Sequence, residues 1–267
     1  MKPLPFLDDA RPARRPAVII PVQQTESAAL AEECAQIAGS GHADVIEWRI
    51  DPLVAAVGQA GSTADAAEDV VPVDIDAVAE AVTSLAPHVT TPGLPVLITL
   101  RSGFEGGVAD VSEDDYAEVV RRVAAARIVP AVDVEIARTH ARELIDAAHA
   151  HGQSVVASQH NFATTDGVQE MLETLTGMAE AGADVVKIAM MPTSPTDVAD
   201  LLRASAEADA DLDRPVLGIS MGRMGRASRI LGGDFGSCAT FAQMGEASAP
   251  GQVDAAELAT MLDSLYG

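Results

Sequence analysis

Short apolar runs alternate with longer stretches of helical periodicity along most of the chain. The short runs are apolar at nearly every position instead of at every second one, which is typical of parallel strands covered on both faces. Eight of these runs predict strands, at residues 17–22, 44–50, 96–101, 131–136, 154–158, 184–189, 216–220 and 235–240. Strands that alternate with helices in this way indicate an α/β protein with a parallel sheet.

Residues that commonly cap helices precede several of the helical stretches: Ser112, Thr139, Thr165, Ser194 and Asp254. Eight strands and their helices over about 250 residues predict a single (β/α)8 TIM barrel spanning residues 1–267 as one domain. A doubly wound open sheet is the alternative, but no strand is followed by a GxGxxG or Walker loop. Residues 54–74, rich in Ala, Gly, Ser, Asp and Glu, are predicted to form a long surface excursion.

The charge balance narrows the classes of partner. Forty acidic residues against seventeen basic ones give a net charge of -23, which repels nucleic acid and anionic membranes. No run reaches the roughly 18 apolar residues of a membrane span, and the N-terminus lacks the layout of a signal peptide. We therefore expect a cytoplasmic protein without nucleic-acid or membrane partners. Cys34 and Cys238 show no metal-site spacing and are predicted to be reduced core residues.

One lysine lies in the middle of the apolar run 183–192. The seventeen Lys and Arg residues include only two lysines, Lys2 and Lys187. A lysine held in a dry pocket can lose its proton and attack a carbonyl, which an arginine cannot do. The alternative is a lysine at a strand end whose amine reaches solvent. Lys187 is therefore a candidate nucleophile.

Polar residues follow or end most of the predicted strands. In (β/α)8 barrels the ligand site lies at the carboxyl ends of the strands, and the candidates there are Glu47, Arg49, Arg101, Glu105, His160, Lys187, Arg229, Ser248 and Gln252. Each has a structural alternative, such as an ion-pair network inside the barrel mouth. Asp133 and Glu135 are interpreted as structural polar residues of the barrel interior, and Gly106-Gly107 as a turn. The coincidence of so many candidates at one rim favours an active site, and the arginines favour an anionic substrate.

Six segments of this rim occur in the order of a known family: Glu47-Trp48-Arg49-Ile50-Asp51, Arg101 with Glu105-Gly106-Gly107, Ser158-Gln159-His160-Asn161-Phe162, Val186-Lys187-Ile188-Ala189, Ser220-Met221-Gly222 through Ser228-Arg229, and Ser248-Ala249-Pro250-Gly251-Gln252. Together they resemble the type I 3-dehydroquinate dehydratase family, the Schiff-base enzymes of the shikimate pathway of aromatic amino acid biosynthesis. The resemblance covers essentially the whole chain. Gln159 stands where an aromatic residue is common, and Pro21 offers no hydroxyl at the end of the first strand.

The resemblance implies a lyase that converts 3-dehydroquinate to 3-dehydroshikimate. Lys187 would form an imine with the C3 ketone, His160 would move protons, and Glu105 would support His160. Other residues would bind the substrate: Glu47, Arg49 and Arg101 at the ring hydroxyls, Arg229 at the carboxylate, and Ser248 and Gln252 on a closing loop. The resemblance also implies a homodimer. No step of this chemistry requires a cofactor or a metal.

Two other functions are compatible with the barrel. Another class I Schiff-base enzyme, of the aldolase or transaldolase kind, should carry a phosphate-binding loop after strands seven and eight. Residues 222–225 are glycine-rich, but Arg229 and the loop at 248–252 suit a carboxylate better. A catalytically inactive scaffold would be expected to have lost Lys187, His160 or Arg229, and all three are present.

Overall fold

The sheet is parallel throughout. The computed structural model describes residues 1–7, 15–60, 73–245 and 251–267, the side chains of 58–60 excepted. Its strands are Ala17–Val22 (β1), Val45–Arg49 (β2), Val96–Thr99 (β3), Ala131–Glu135 (β4), Ser154–Asn161 (β5), Val185–Met190 (β6), Val216–Ser220 (β7), Ala239–Gln243 (β8) and Val253–Asp254 (β9). They are ordered β7-β6-β5-β4-β3-β2-β1-β8-β9.

Helices follow the strands along the chain. Their bounds are Ser27–Ser40 (α1), Asp51–Ala60 (α2), Ile75–Thr90 (α3), Glu113–Ala126 (α4), Ala141–Ala150 (α5), Val168–Glu180 (α6), Pro195–Asp211 (α7), Arg226–Leu231 (α8) and Ala255–Tyr266 (α9), with 3-10 turns at Gly103–Glu105 and Gly232–Phe235. β7 meets the segment before β8 through a parallel bridge between Val216 and Ser237, and the N–H of Cys238 donates to the Val216 carbonyl at 2.7 Å. The sheet thus curls into the predicted (β/α)8 barrel.

Three helix starts follow from the sequence as predicted. The Ser112 hydroxyl accepts the N–H of Asp115 at the start of α4, and Ser194 forms a capping box with Asp197 at the start of α7. The Asp254 carboxylate accepts two N–H groups in the first turn of α9. These caps satisfy donors that a helix end leaves unpaired. The cysteines, Cys34 in α1 and Cys238 before β8, are free and buried as predicted.

The last barrel strand, β8, starts four residues later than predicted. Phe235 ends a 3-10 turn, and Gly236 at φ +86° reverses the chain before β8 begins at Ala239. The residues predicted as a strand start are therefore used to turn the chain. Two helix starts are also later than predicted, since α5 begins at Ala141 and α6 at Val168 instead of just after Thr139 and Thr165.

The predicted surface excursion at 54–74 differs from the structure at its start, and the helix predicted after it begins at Ile75 as expected. Residues 54–60 continue α2, where Val54 is buried against the core and Val57 packs beside it. Val73 is buried and Asp74 caps α3 through its carboxylate. Apolar residues three apart in an alanine-rich stretch favour a helix over a loop. Residues 61–72 lie outside the described part of the chain.

Side chains alternate between the inside and the outside of the barrel along each strand. The barrel interior itself has two halves, one at the amino ends and one at the carboxyl ends of the strands. Outward-facing residues pack against the helices, whereas the inward-facing residues near the amino ends of the strands are apolar and pack with Leu4. Towards the carboxyl ends the inward positions become polar, as in the pairs Val156–Ser158 on β5 and Val185–Lys187 on β6. The apolar half is a packed core, and the polar half forms the site. Among the described residues, no helix is long and apolar enough to cross a membrane.

Candidate active site

A cavity opens at the carboxyl ends of the strands. It is lined by every candidate residue that the structure describes, namely Glu47, Arg49, Arg101, Glu105, His160, Lys187, Arg229 and Gln252. Ser248 lies outside the described residues. The cavity volume is about 140 Å³, roughly ten times what one water molecule needs on the same measure. A small organic molecule therefore fits.

Lys187 is buried inside the barrel and does not extend to the outer surface of the protein. Its side chain is 4% exposed, and its Nζ lies 3.6 Å from Asp133 Oδ2 and 3.8 Å from Glu47 Oε1. The same nitrogen lies 4.8 Å from the centre of the Phe241 ring, within cation–π range. Two carboxylates and an aromatic face thus hold the amine in the cavity wall. The alternative of a solvent-reaching lysine is wrong.

His160 is paired with Glu105 in the wall of the cavity. β5 extends three residues beyond its predicted end, which places His160 on the strand. Its Nδ1 lies 2.8 Å from Glu105 Oε2, so Nε2 is the nitrogen left for proton transfer. Phe162 stacks beside the imidazole with ring centres 6.4 Å apart.

The Gly106-Gly107 pair is required by the turn that presents Glu105. Gly106 has a φ of +81°, and a Cβ there would lie 2.3 Å from the Phe162 ring. A Cβ on Gly107 would lie 1.9 Å from the carbonyl oxygen of Arg101. The prediction that these glycines form a turn is confirmed.

Burial and charge shift the two partners of this pair in opposite directions. Burial raises the pKa of Glu105 to about 8, although the guanidinium of Arg101 opposes the shift. Burial, and then the positive charges of Arg101 and Lys187, lower the pKa of His160 well below its usual range. Glu105 Oε1 has no hydrogen-bond partner in the described chain, which adds to the cost of ionising this carboxyl group. Near neutral pH the pair is therefore a protonated carboxyl beside a neutral imidazole.

Arg101 joins the buried acids of the barrel mouth into one network. Its NH1 donates to Glu105 and Glu135, each at 3.0 Å, and to the Ser158 hydroxyl at 3.1 Å. Its NH2 donates to Asp133 at 2.8 Å. Asp133 and Glu135 are predicted from the sequence to be structural residues only, but Asp133 contacts both Arg101 and Lys187. Alternation on β4 was the signal, because Asp133 shares the inward face with Glu135.

Arg49 is oriented by Asp51, which is not among the site residues predicted from the sequence. Asp51 binds it through two hydrogen bonds of 2.6 and 2.8 Å, and the same carboxylate accepts the N–H of Val108 at 3.2 Å. Glu47 in turn accepts the Thr99 hydroxyl at 3.1 Å. These contacts fix both cavity side chains of β2.

Arg229 brings a buried positive charge to the wall of the cavity. The residue is 2% exposed, and burial lowers its pKa to about 10. Its NH1 donates to the Phe241 carbonyl at 3.4 Å, and its own carbonyl accepts the Thr240 hydroxyl at 2.9 Å. A negatively charged ligand beside this guanidinium would offset the cost of burying it.

Fold and site together define an enzyme of the (β/α)8-barrel class, with a buried lysine and a carboxyl-bound histidine facing one cavity. Among the described residues, no three His, Cys, Asp or Glu side chains are grouped as metal ligands.

A family model described as type I 3-dehydroquinase matches residues 18–267. The 3-dehydroquinate dehydratase of Listeria welshimeri is 38% identical over 253 residues, covering 94% of this chain and 93% of that protein. That of Klebsiella pneumoniae is 36% identical over 240 residues, covering 86% and 88%. The chain belongs to the type I 3-dehydroquinase family, and it is a lyase. The predicted resemblance is confirmed, and the aldolase-like alternative is set aside.

A solved structure agrees with this assignment. The type I 3-dehydroquinate dehydratase of Clostridium difficile, crystallised with covalently modified comenic acid, superimposes with a TM-score of 0.81. It is 31% identical and covers 94% of this chain and 93% of that one.

Proposed function

We propose that the chain dehydrates 3-dehydroquinate to 3-dehydroshikimate through an imine on Lys187. The observation that carries the proposal is the buried amine, which faces a cavity shared with His160 in a chain that has only one other lysine. The substrate follows from the relatives, which are 3-dehydroquinate dehydratases. A relative with a covalently modified ligand supports covalent catalysis.

The first stage is attack of the Lys187 amine on the C3 ketone. The nitrogen adds to the carbonyl carbon, and the carbonyl oxygen leaves as water after His160 supplies and removes the protons. The product is a protonated imine, which withdraws electrons from C2 more strongly than the ketone does. This step explains why the site needs a lysine.

The second stage removes the hydroxyl at C1. His160 Nε2 takes a proton from C2, the C–H electrons form a C2=C3 bond, and the C=N electrons move to the Lys187 nitrogen. The resulting enamine expels the C1 hydroxyl, which takes its proton from His160, and a C1=C2 bond forms. Water then hydrolyses the imine, so the overall change is the loss of one water molecule.

The remaining cavity residues position the substrate. Arg229 would bind the carboxylate, because its guanidinium is buried and lines the cavity together with Gln252. Glu47 and Arg49 would bind ring hydroxyls, and Asp51 holds Arg49 in place for this. Arg101 already donates to four protein side chains, so it would bind a ring hydroxyl of the substrate only as a further contact. Ser248 stays a prediction from the sequence.

The proposal is tested by borohydride reduction in the presence of 3-dehydroquinate. Borohydride converts an imine to a stable amine, so the intact mass should rise by one reduced substrate residue. Peptide mapping should place the adduct on Lys187, and the assignment is simple because the chain has only two lysines. A folded protein that gives no adduct would contradict the imine mechanism.

His160→Ala is expected to lower kcat roughly 10³-fold, the usual contribution of a positioned acid–base group. Imine formation should continue slowly, because the lysine remains. Steady-state rates and borohydride trapping would be measured on the same preparation. His151→Ala is the matched control, since His151 contacts Arg127 at the surface. Unchanged kinetics in His160→Ala would rule out its role in proton transfer.

The rate should depend on the protonation of the Glu105–His160 pair. Below a pH of about 8 the Glu105 carboxyl keeps its proton and donates a hydrogen bond to Nδ1 of His160. The imidazole hydrogen then lies on Nε2, which cannot act as a base. Above this pH the Glu105 carboxylate accepts a hydrogen bond from Nδ1–H, and Nε2 is free to take a proton. We therefore expect kcat/KM to be low at acidic pH and to increase as the pH rises through about 8. The profile would be measured between about pH 5 and about pH 9.

Glu105→Gln provides the control for this profile. Oε2 of Glu105 contacts both Arg101 and His160, so the amide oxygen must take that position and accept Nδ1–H at every pH. The acidic limb should then report His160 alone and move below about 6.5, with a loss in maximal kcat of no more than roughly tenfold. A limb that stays in place would show that another group controls it.

Two further sequence predictions belong to this proposal. Assembly as a homodimer is measurable by light scattering of the purified chain, and a cytoplasmic location by fractionation of its host cells. Both stay predictions.

A further inference from the structure

Asp133 lies behind the Lys187 amine, outside the residues that line the cavity. The residue is 0% exposed. Its Oδ1 accepts the Ser158 hydroxyl at 2.7 Å and Arg101 NH2 at 2.8 Å. Its Oδ2 has no hydrogen-bond partner in the described chain and lies 3.6 Å from Lys187 Nζ. One oxygen is thus anchored by neutral and cationic donors, and the other is directed at the reacting nitrogen.

Asp133 keeps its charge in this setting. Burial alone would raise its pKa, but the positive charges of Arg101 and Lys187 and the Ser158 hydroxyl more than offset burial, so the pKa lies below its usual value. Glu47, the other carboxylate near the amine, lines the cavity in which the substrate would bind. Asp133 is therefore the carboxylate whose contact with Lys187 does not depend on the substrate.

We infer that Asp133 is the fixed counter-ion of the Lys187 nitrogen, in both the resting ammonium and the protonated imine. The inference rests on the proposed imine mechanism. No covalent bond to Asp133 forms or breaks. Its carboxylate stabilises positive charge on the nitrogen, so it favours the cationic imine from which C2 loses its proton. It also favours the unreactive ammonium before substrate binds.

A counter-ion therefore affects two steps in opposite directions. Without the Asp133 charge, the neutral amine persists to lower pH and the imine forms there more readily. The same change slows elimination, because the imine is less often protonated. A purely structural residue would slow both steps together. The other titratable or charged groups near the amine are Glu47, Arg49, Arg101, Glu105, His160 and Arg229, and they remain in the variant.

Asp133→Asn tests this inference, because the amide keeps the shape and an oxygen for Arg101 and Ser158. With isotopically labelled lysine, NMR should show two side-chain signals, from Lys2 and Lys187. The Lys187 signal should lose its proton at a pH lower by roughly one unit or more than in the unmutated enzyme. The Lys2 signal serves as the internal reference. kcat should fall roughly tenfold or more, while borohydride trapping persists to lower pH.

Glu135→Gln is the matched control. Like Asp133, Glu135 is fully buried, lies on β4 and binds Arg101. Among the described residues it has no ion pair with Lys187. It should reduce stability without moving the Lys187 titration. Where Asp133→Asn does not fold, Asp133→Ser gives a smaller neutral side chain for the same measurements.

The outcomes separate the two proposals. An adduct at Lys187 in the unmutated enzyme, with an unchanged Lys187 titration in Asp133→Asn, would overturn the counter-ion inference alone. An equal shift in Glu135→Gln would also overturn it, because any lost charge would then have the same effect. Absence of the adduct in the unmutated enzyme would instead contradict the proposed function.

Discussion

Lys187→Ala is expected to lower kcat/KM by at least roughly 10⁴-fold, the scale seen when a covalent nucleophile is removed. The cavity and the Glu105–His160 pair should remain, because neither depends on the lysine for a hydrogen bond. Circular dichroism should therefore match that of the unmutated protein, and borohydride should trap no substrate. Activity would be followed by the appearance of the conjugated product. A near-normal rate would eliminate the imine mechanism.

Two further variants serve as controls. The first distinguishes the nucleophilic role of the Lys187 amine from its positive charge, and the second removes the other lysine of the chain. Lys187→Arg keeps a cation near Asp133 and Glu47 but cannot form an imine, so it should be folded and inactive. Lys2→Ala removes the surface lysine that pairs with Asp209 and should leave both rate and adduct unchanged. Activity in the arginine variant would show that the charge, and not the nucleophile, is what the site requires.

Arg101→Ala is expected to have the largest effect on stability. It would leave Glu105, Asp133 and Glu135 buried without their shared guanidinium, and each of them is at most 1% exposed. Removing one partner of a buried ion pair costs roughly 3–5 kcal/mol in the free energy of unfolding. Urea unfolding, with fluorescence of Trp48 as the probe, measures it.

The control for this loss is an arginine that makes ion pairs at the surface. Arg121 pairs with Glu118 and Glu143 and is 38% exposed, so Arg121→Ala should change the free energy of unfolding by no more than about 1 kcal/mol. Equal effects of the two substitutions would mean that the carboxylates of the barrel mouth take up protons or water at little cost. Repeating the urea series at lower pH would then show which of them is protonated.

The distribution of charge agrees with an anionic substrate. The chain carries a net charge of -23, yet Arg49, Arg101 and Arg229 line the cavity. All three guanidinium groups therefore place positive charge at the surface of the cavity, where a negatively charged ligand would be attracted.

The sequence by itself determined the repeating unit of the fold and most of the site. Continuous apolar runs require strands covered on both faces, and eight of them separated by helices leave few alternatives to a barrel. A lysine such as Lys187 inside such a run is costly to bury, so its presence indicated chemistry. Local capping residues fixed the starts of α4, α7 and α9, because a cap acts within one helical turn.

Only the tertiary structure decided what depends on distance between segments. The start of β8 depended on pairing with β1, which no local pattern encodes, although the glycine turn at 232–236 before it was a local signal. The network of Arg101 joins the segment after β3, a 3-10 turn, β4 and β5, so the contact of Asp133 with Lys187 could not be read from spacing along the chain. The raised pKa of Glu105 likewise arises from burial. Alternation predicts which face a side chain takes, but only the closed barrel brings those faces together and removes water from between them.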